Sequence, residues 1–240
     1  GVWIKNETTL SVDGAALLES PPVIPLADDG PQIFIVHTHG SEAYWPDEEY
    51  PYTPTDVERT EDTRFNVVRV GDEMQAVFER MGLRVLHDRN IYDQPSYNGS
   101  YGRSLTAIAT ALKENPGISV VIDLHRDSIQ TADGTNYKTA ALVDGQKMAQ
   151  AMIVVGTNDS GLDHPNWKQN LAFAMGLQQR VNTAYPGLMR PINLRRERFN
   201  AHATTGSILL EVGSSANTLG EAIETAKRFA IVMGTYLIDN

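Results

Sequence analysis

Cysteine is absent from the 240 residues, which removes disulfides, thiolate nucleophiles and cysteine-type zinc fingers together. His, Asp and Glu are left as the only strong metal ligands. Long apolar runs are missing too: the stretch from Ile118 to Leu124 falls far short of the ~18 residues that span a bilayer, so the chain is expected to fold in water. Basic residues are scarce. Lys and Arg number 20 against 30 acids, a net charge of −10, and phosphate contacts need clustered cations, so neither nucleic acid nor an anionic membrane surface is an expected partner. No internal repeat or low-complexity tract stands out. A cysteine-free chain that opens at Gly1 without Met suits the ectodomain of an anchored bacterial protein on the extracytoplasmic face of the membrane. The stretch ESPPVIPLADDG over Glu19–Gly30 reads as Pro-rich and extended. The expected organisation is a leader over 1–30 followed by one catalytic domain over 31–240.

With 41% hydrophobic residues, the chain can bury a full core in a single α/β domain. Ile33–Val36 is a continuous apolar run and reads as a buried strand. The acid-, Tyr- and Pro-rich stretch 40–64 lacks core periodicity, and a loop of that length is usually functional. Asn66–Met81 carries apolar residues at helical spacing and stops at Gly82. Leu83–Leu86 is the next strand, Ser104–Glu114 the next helix, and Ile118–Leu124 the strand after Asn115-Pro116-Gly117. Lys138–Val143 and Met148–Val155, around Asp144-Gly145, read as a hairpin. Trp167–Ala184 is a helix, Ser207–Val212 a strand and Leu219–Leu237 the closing helix. Strands alternating with helices predict a mostly parallel central sheet flanked by helices, with strand C-termini sharing one edge.

Chemistry-bearing residues fall near that edge. His37-Thr38-His39-Gly40-Ser41-Glu42 follows the first strand and offers an imidazole and a carboxylate three residues apart. A catalytic zinc site takes three protein ligands and keeps a fourth position open. His125, after the strand Ile118–Leu124, is the natural third ligand, with Asp123 and Asp127 close enough in sequence to fix its tautomer. Glu211 lies in the otherwise apolar SILLEV strand, where a buried carboxylate is costly unless paired, liganded or functional. Two readings are open: an acid satisfied by Arg190, Arg195, Arg196 or Arg198, or a general base that deprotonates the attacking water and then protonates the leaving amine.

Seven ordered stretches resemble the stage II sporulation protein P family of N-acetylmuramoyl-L-alanine amidases of endospore-forming bacteria: HTHGSEAY (37–44), NVVRVGDEM (66–74), PSYNGSYGRSL (95–105), VVIDLHRDS (120–128), VVGTNDSGLDHPNWKQNLAFA (154–174), YPGLMRPINLR (185–195) and LLEVGSSANTLGEA (209–222). The resemblance implies a fold like that of zinc amidases and carboxypeptidases. It implies zinc-dependent release of stem peptides from peptidoglycan, endopeptidase action on cross-links, and work in engulfment at the sporulation septum beside a lytic transglycosylase and membrane-anchored partners. Carried over by position, the metal histidines fall on His39 and His125 and the catalytic glutamate on Glu211. The carboxylate ligand falls on Glu42 by its His-x-x-Glu spacing, with Glu61 or Asp62 as the alternative. His37 is then a neighbour of the ligands or a substrate contact, and His202, in Asn200-Ala201-His202, a donor to the transition state. Arg126 and Arg64 either clamp a stem-peptide carboxylate or pair with Asp123, Asp127 or Asp62. Tyr44, Trp45, Tyr50 and Tyr52 either stack on substrate or cover the sheet edge. The competing functions are a non-catalytic peptidoglycan-binding module and a zinc carboxypeptidase acting on stem peptides.

Overall fold

Strands form where apolar residues run continuously or alternate, and helices where they recur every three to four positions. In the computed structural model, which describes residues 1–55 and 58–239, those rules give β1 (Ile4–Asn6), α1 (Gly14–Glu19), β2 (Ile33–Val36), α2 (Val67–Arg80), β3 (Val85–His87), α3 (Ser100–Glu114) and β4 (Val120–Asp127). The hairpin strands β5 (Ala140–Val143) and β6 (Gln146–Ala149) follow, then β7 (Ala151–Gly156), α4 (Trp167–Ala184), β8 (Ile192–Arg195), β9 (Gly206–Ser214) and α5 (Leu219–Asp239). Seven strands make one sheet in the order β1-β8-β7-β9-β4-β2-β3. All neighbours are parallel except β7 and β9. Among the described residues, no helix is long and apolar enough to cross a membrane.

Side-chain alternation decides what each face does. Ile122 and Leu124 of β4, Ile208, Leu210 and Val212 of β9, and Ile153 and Val155 of β7 point into the main core with α2, α4 and α5. The α2 helix shows how local signals set this up. Asn66 caps it by accepting from the Val68 N–H, its buried stripe includes Val70, Met74, Val77 and Phe78, and Gly82 at φ +85° turns the chain out of the helix. Each such side chain stabilises the fold by roughly 1.5–3 kcal/mol when fully buried. The opposite face carries Asp123, His125 and Asp127 of β4, and Leu209 and Glu211 of β9, by the same period of two.

Three expectations change. The segment 1–30 is not simply a leader: β1 pairs with β8 in register Ile4 to Ile192, Trp3 N–H donates to Gln178 Oε1 at 2.8 Å, and Ile24 is buried in the core. Its Pro-rich part, residues 20–32, has no helix or strand, but Leu17, Leu18 and Leu26 pack, partly buried, against the core. The second arm of the expected hairpin divides at Gln150, so that β6 closes the hairpin with β5 while β7 joins the main sheet against β9. The fourth strand also runs three residues farther than its apolar stretch, so His125 lies within β4 rather than past its end.

Candidate metal centre and active-site groove

The chain leaves β2 at His37 and is pinned at once. Thr38 donates its N–H and its hydroxyl to the two Asp123 oxygens at 2.9 and 2.7 Å. A turn closed by Glu42 N–H to His39 carbonyl at 3.0 Å then aims His39 and Glu42 the same way. His125 comes from the neighbouring strand. The ligand atoms of His39, Glu42 and His125 all lie within 4.8 Å of one another, and all three residues are buried. Glu42 sits between the imidazoles, with Oε1 3.5 Å from His39 Nδ1 and Oε2 3.1 Å from His125 Nδ1. The far nitrogens are also held: His39 Nε2 by Ser100 Oγ at 3.1 Å and His125 Nε2 at 2.9 Å from Asp123 Oδ1. Outer partners that fix ring orientation while both Nδ1 atoms converge are what a metal-binding imidazole pair requires.

Electrostatics point the same way. Burial alone would depress the His125 pKa, but Asp123 and Glu42 outweigh it and hold it well above the ordinary value. Burial alone would raise Glu42, yet His125 and His39 pull it well below the carboxylate range. Carboxylates crowded enough to raise a buried imidazole equally favour a dication between the Nδ1 atoms. Glu211 lies directly beside His125 in the β4–β9 register. It is partly exposed to the groove, while its Oε2 is buried and has no hydrogen-bond partner among the described residues. Burial pushes its pKa up to about 8, with Glu42 and Asp127 adding and His125 and Arg126 opposing. A groove of about 440 Å³ opens over His39, Glu42, His125 and Glu211 and runs past Tyr101 and Phe199.

The family model described as Stage II sporulation protein P (SpoIIP) matches residues 4–234. The chain belongs to that family. Stage II sporulation protein P of Bacillus subtilis (strain 168) is 28% identical over 211 residues, covering 83% of this chain and 49% of that protein. The chain thus spans about half the length of the curated relative it matches. Among solved structures, the catalytic domain of CwlV, an N-acetylmuramoyl-L-alanine amidase from Bacillus (Paenibacillus) polymyxa var. colistinus, is similar with a TM-score of 0.50 at 12% identity, over 87% of this chain and 99% of that one. The CwlD amidase of Clostridioides difficile, solved with the GerS lipoprotein, is similar at a TM-score of 0.49 and 12% identity, over 87% and 100% of the two chains. The fold is that of the amidases: a mixed α/β domain with a helix-flanked sheet.

Within this SpoIIP-family domain, the expected residues divide. His39, Glu42, His125 and Glu211 come together, and Asp123 orients His125. The alternative carboxylates do not join them: Asp62 pairs with Arg64 at 2.5 Å on the exposed surface, and Glu61 lines a neighbouring pocket with Arg59 and Tyr97. Arg64 therefore takes the ion-pair reading. Arg126 is buried, donating from Nε to Ala43 carbonyl at 2.8 Å and from Nη2 to Glu58 carbonyl at 3.0 Å, which braces the loop that carries Glu42. His37 turns away from the groove: its Nδ1 meets Leu124 carbonyl at 3.1 Å and its Nε2 meets His87 Nε2 at 2.8 Å. His202 does not line the groove either; it lies against His164 with ring centroids 6.4 Å apart, while Phe199, at φ 50°, lines the groove. None of the four arginines offered as partners neutralises Glu211. Arg190 pairs with Asp127, Arg195 with Glu7 and Glu197, and Arg196 with Asp159, while Arg198 donates to Asp163 carbonyl.

Of the loop 40–64, residues 56 and 57 lie outside the described residues. Its first turn supplies Glu42, whereas Tyr44 is buried and donates to Val212 carbonyl at 3.0 Å, and Tyr52 stacks on Phe65 at 5.6 Å. Tyr44 therefore packs at the sheet edge, and Tyr52 packs beside it on Phe65 and the Tyr44 carbonyl. The aromatics at the site are others. Tyr97 stacks on His39 at 4.3 Å and Tyr101 meets its edge at 5.5 Å. Burial, then Asp123 and Glu211, push the Tyr101 hydroxyl far above its ordinary pKa, so it stays protonated. Arg59 Nη2 reaches to 3.6 Å from Glu42 Oε1. Sequence gave one clue to the tyrosines, the PSYNGSYGRSL stretch, but no spacing that tied them to His39.

Proposed function

We propose that this domain is a zinc-dependent N-acetylmuramoyl-L-alanine amidase that frees stem peptides from peptidoglycan, and that it also cuts peptide cross-links. The observation that carries this reading is the convergence of both Nδ1 atoms on Glu42 with an unpartnered Glu211 oxygen in the adjacent register position. His39, Glu42 and His125 would hold zinc, which when bound supplies Lewis-acid polarisation and lowers the pKa of water. Glu211 accepts the proton of the attacking water and returns it to the departing amide nitrogen, which must be protonated before the C–N bond breaks. Its raised proton affinity falls when positive charge is added beside His125, which suits a group that takes a proton from water and then gives it to the departing nitrogen. Asp123 keeps the His125 ring in place, and Tyr101, protonated and beside His39, is a donor toward oxygen on which charge develops.

The family and the sporulation name of the Bacillus subtilis relative support work on the spore-forming cell's wall. By this proposal the domain faces the extracytoplasmic side, on a membrane-anchored protein at the sporulation septum, and acts with a lytic transglycosylase that trims the glycan it strips. The test is mass spectrometry of sacculi digested by the purified chain. Stem peptides with a free N-terminal alanine and unsubstituted muramic acid are expected, with kcat lowered on the order of 10²-fold or more in Glu211→Gln at unchanged metal content. Products cut at a sugar bond, or full activity in Glu211→Gln, would remove the proposal.

A further inference from the structure

The sheet face that carries Glu211 is roofed unevenly. Over β2 and β4, α3 covers it, packing Ile108 and Ala111 on Phe34, Val36 and Val121. Beyond β9, Phe199 packs on the small buried cluster of Met152, Val154 and Leu209, which floors the groove, while α4 and α5 lie on the opposite face with Ile153, Val155 and Ile192. Register makes this groove floor a lane. Leu209 is paired with Val154, Val154 with Asn193, and Asn193 with Lys5, and residues opposite one another in a sheet put their side chains on the same face. The lane belongs to the same groove as the metal-site residues. It begins apolar, beside Glu211, and ends polar and cationic.

Charge says what lies along it. In a chain of net charge −10, Lys5, Arg190 and Arg195 line the groove beyond β7 with Glu7 beside them, and Asp127 reaches Arg190 from β4. The cations do have partners: Lys5 with Glu7 at 2.5 Å, Arg195 with Glu197 at 3.1 Å and Glu7 at 3.3 Å, and Arg190 with Asp127 at 2.7 Å. Such partly exposed pairs hold each other weakly, and a ligand carboxylate can share the same donors. Asn193 adds an Oδ1 that is buried and has no hydrogen-bond partner among the described residues, an acceptor suited to a peptide N–H. Of the two halves of the bond proposed above, the N-acetylated glycan is uncharged around the amide, whereas the stem peptide bears free carboxylates.

We infer that the lane from Met152 to Lys5 seats the departing peptide, and that Lys5, Arg190 and Arg195 select a peptide with a free carboxylate two to four residues beyond the cut bond. The inference rests on the amidase reading for the place of the cut. The span sets the residue count. From β9 to β1 are three strand spacings, ~14 Å, which an extended peptide covers in about four residues at ~3.4 Å each. Arg190 and Arg195 are reached earlier along the lane. Strand β1 therefore does more than extend the sheet edge: it carries a substrate-selecting residue into the groove.

The test is calorimetric binding of a synthetic four-residue stem peptide, Ala-Glu-Lys-Ala with all carboxylates free, compared with the same peptide fully amidated. The free form should bind at least tenfold more tightly. Lys5→Glu and Arg195→Gln should each remove most of that preference, and Lys147→Glu, outside the groove, should leave it intact. Lys5 and Arg195 side chains are 67% and 37% exposed, so these variants are expected to fold, and an unfolding curve checks that they do. Equal binding of the two forms, no binding of either, or a preference that survives the double variant would overturn the inference. Because the readout is binding, its failure is separable from that of the amidase reading: selective binding with no amide cleavage in sacculi would sink the latter alone.

Discussion

Two clusters of histidine and acid lie within a few residues of one another at the end of β2, and they have opposite character. In the open one, His39 and His125 turn their Nδ1 atoms onto Glu42 beside a groove. In the closed one, His37 and His87 bond each other at 2.8 Å, with Asp72 Oδ1 3.3 Å from His87 Nδ1. Their protons tell them apart. Asp123 and Glu42 outweigh burial and raise His125, while burial first and then His87 drive His37 down to about 3. The same two residue types thus make a candidate ligand set where carboxylates surround the imidazoles and a packing unit where a backbone carbonyl and a second imidazole surround His37. Alternation of the chain after a strand, not the histidine itself, assigns the role.

The sharpest way to break the closed cluster without touching the open one is Gly71→Ala. A Cβ there would meet His87 Nε2 at 2.7 Å and His37 Cε1 at 3.0 Å, in a buried helix position where the rings have little room to retreat. Overpacking of this kind costs about 1–3 kcal/mol. Urea unfolding should show that loss while zinc content stays at the wild-type level. An unchanged midpoint would mean the two rings are looser than their contacts imply.

A smaller, graded effect follows from protons. His37 is held neutral to about 3 in the folded chain, against an ordinary 6.5. The unfolded chain therefore takes up a proton first, and stability falls as pH drops from about 6.5 toward 3. His164, lowered to about 4 by burial and by His202, acts with the same sign. Replacing His37 by Gln should flatten the slope between pH 6.5 and 4.5 without abolishing it, measured as unfolding free energy against pH. A slope identical to wild type would show that His37 does not titrate as its surroundings require.

Much of this was readable from sequence, for physical reasons. The strands β2, β4 and β9 and the helices α2 and α5 have apolar patterns dense enough to specify element and face. Histidines that directly follow such strands, and one acid inside SILLEV, stood out because water-seeking groups there need a reason. What was not readable depended on contacts distant in sequence. β1 and β8 are three and four residues long and offer too few apolar positions to count. Tyr97, Tyr101, Ser100 and Arg59 reach the site only because α3 and the end of the 40–64 loop fold beside it. His37 and His39 could not be ranked by pattern alone, since the face each takes is fixed by Thr38 binding Asp123. His202 lies against His164, beyond a turn at Phe199 whose positive φ carries no sequence mark outside glycine and asparagine.

The central claim is that the open cluster binds zinc and the closed one does not. Elemental analysis of the purified wild-type chain and of His39→Ala, His125→Ala, Glu42→Ala and His87→Ala, each confirmed as folded, tests it directly. One zinc per wild-type chain is expected, with loss from the first three variants and retention in His87→Ala; full occupancy in His39→Ala or His125→Ala, or loss confined to His87→Ala, would contradict it.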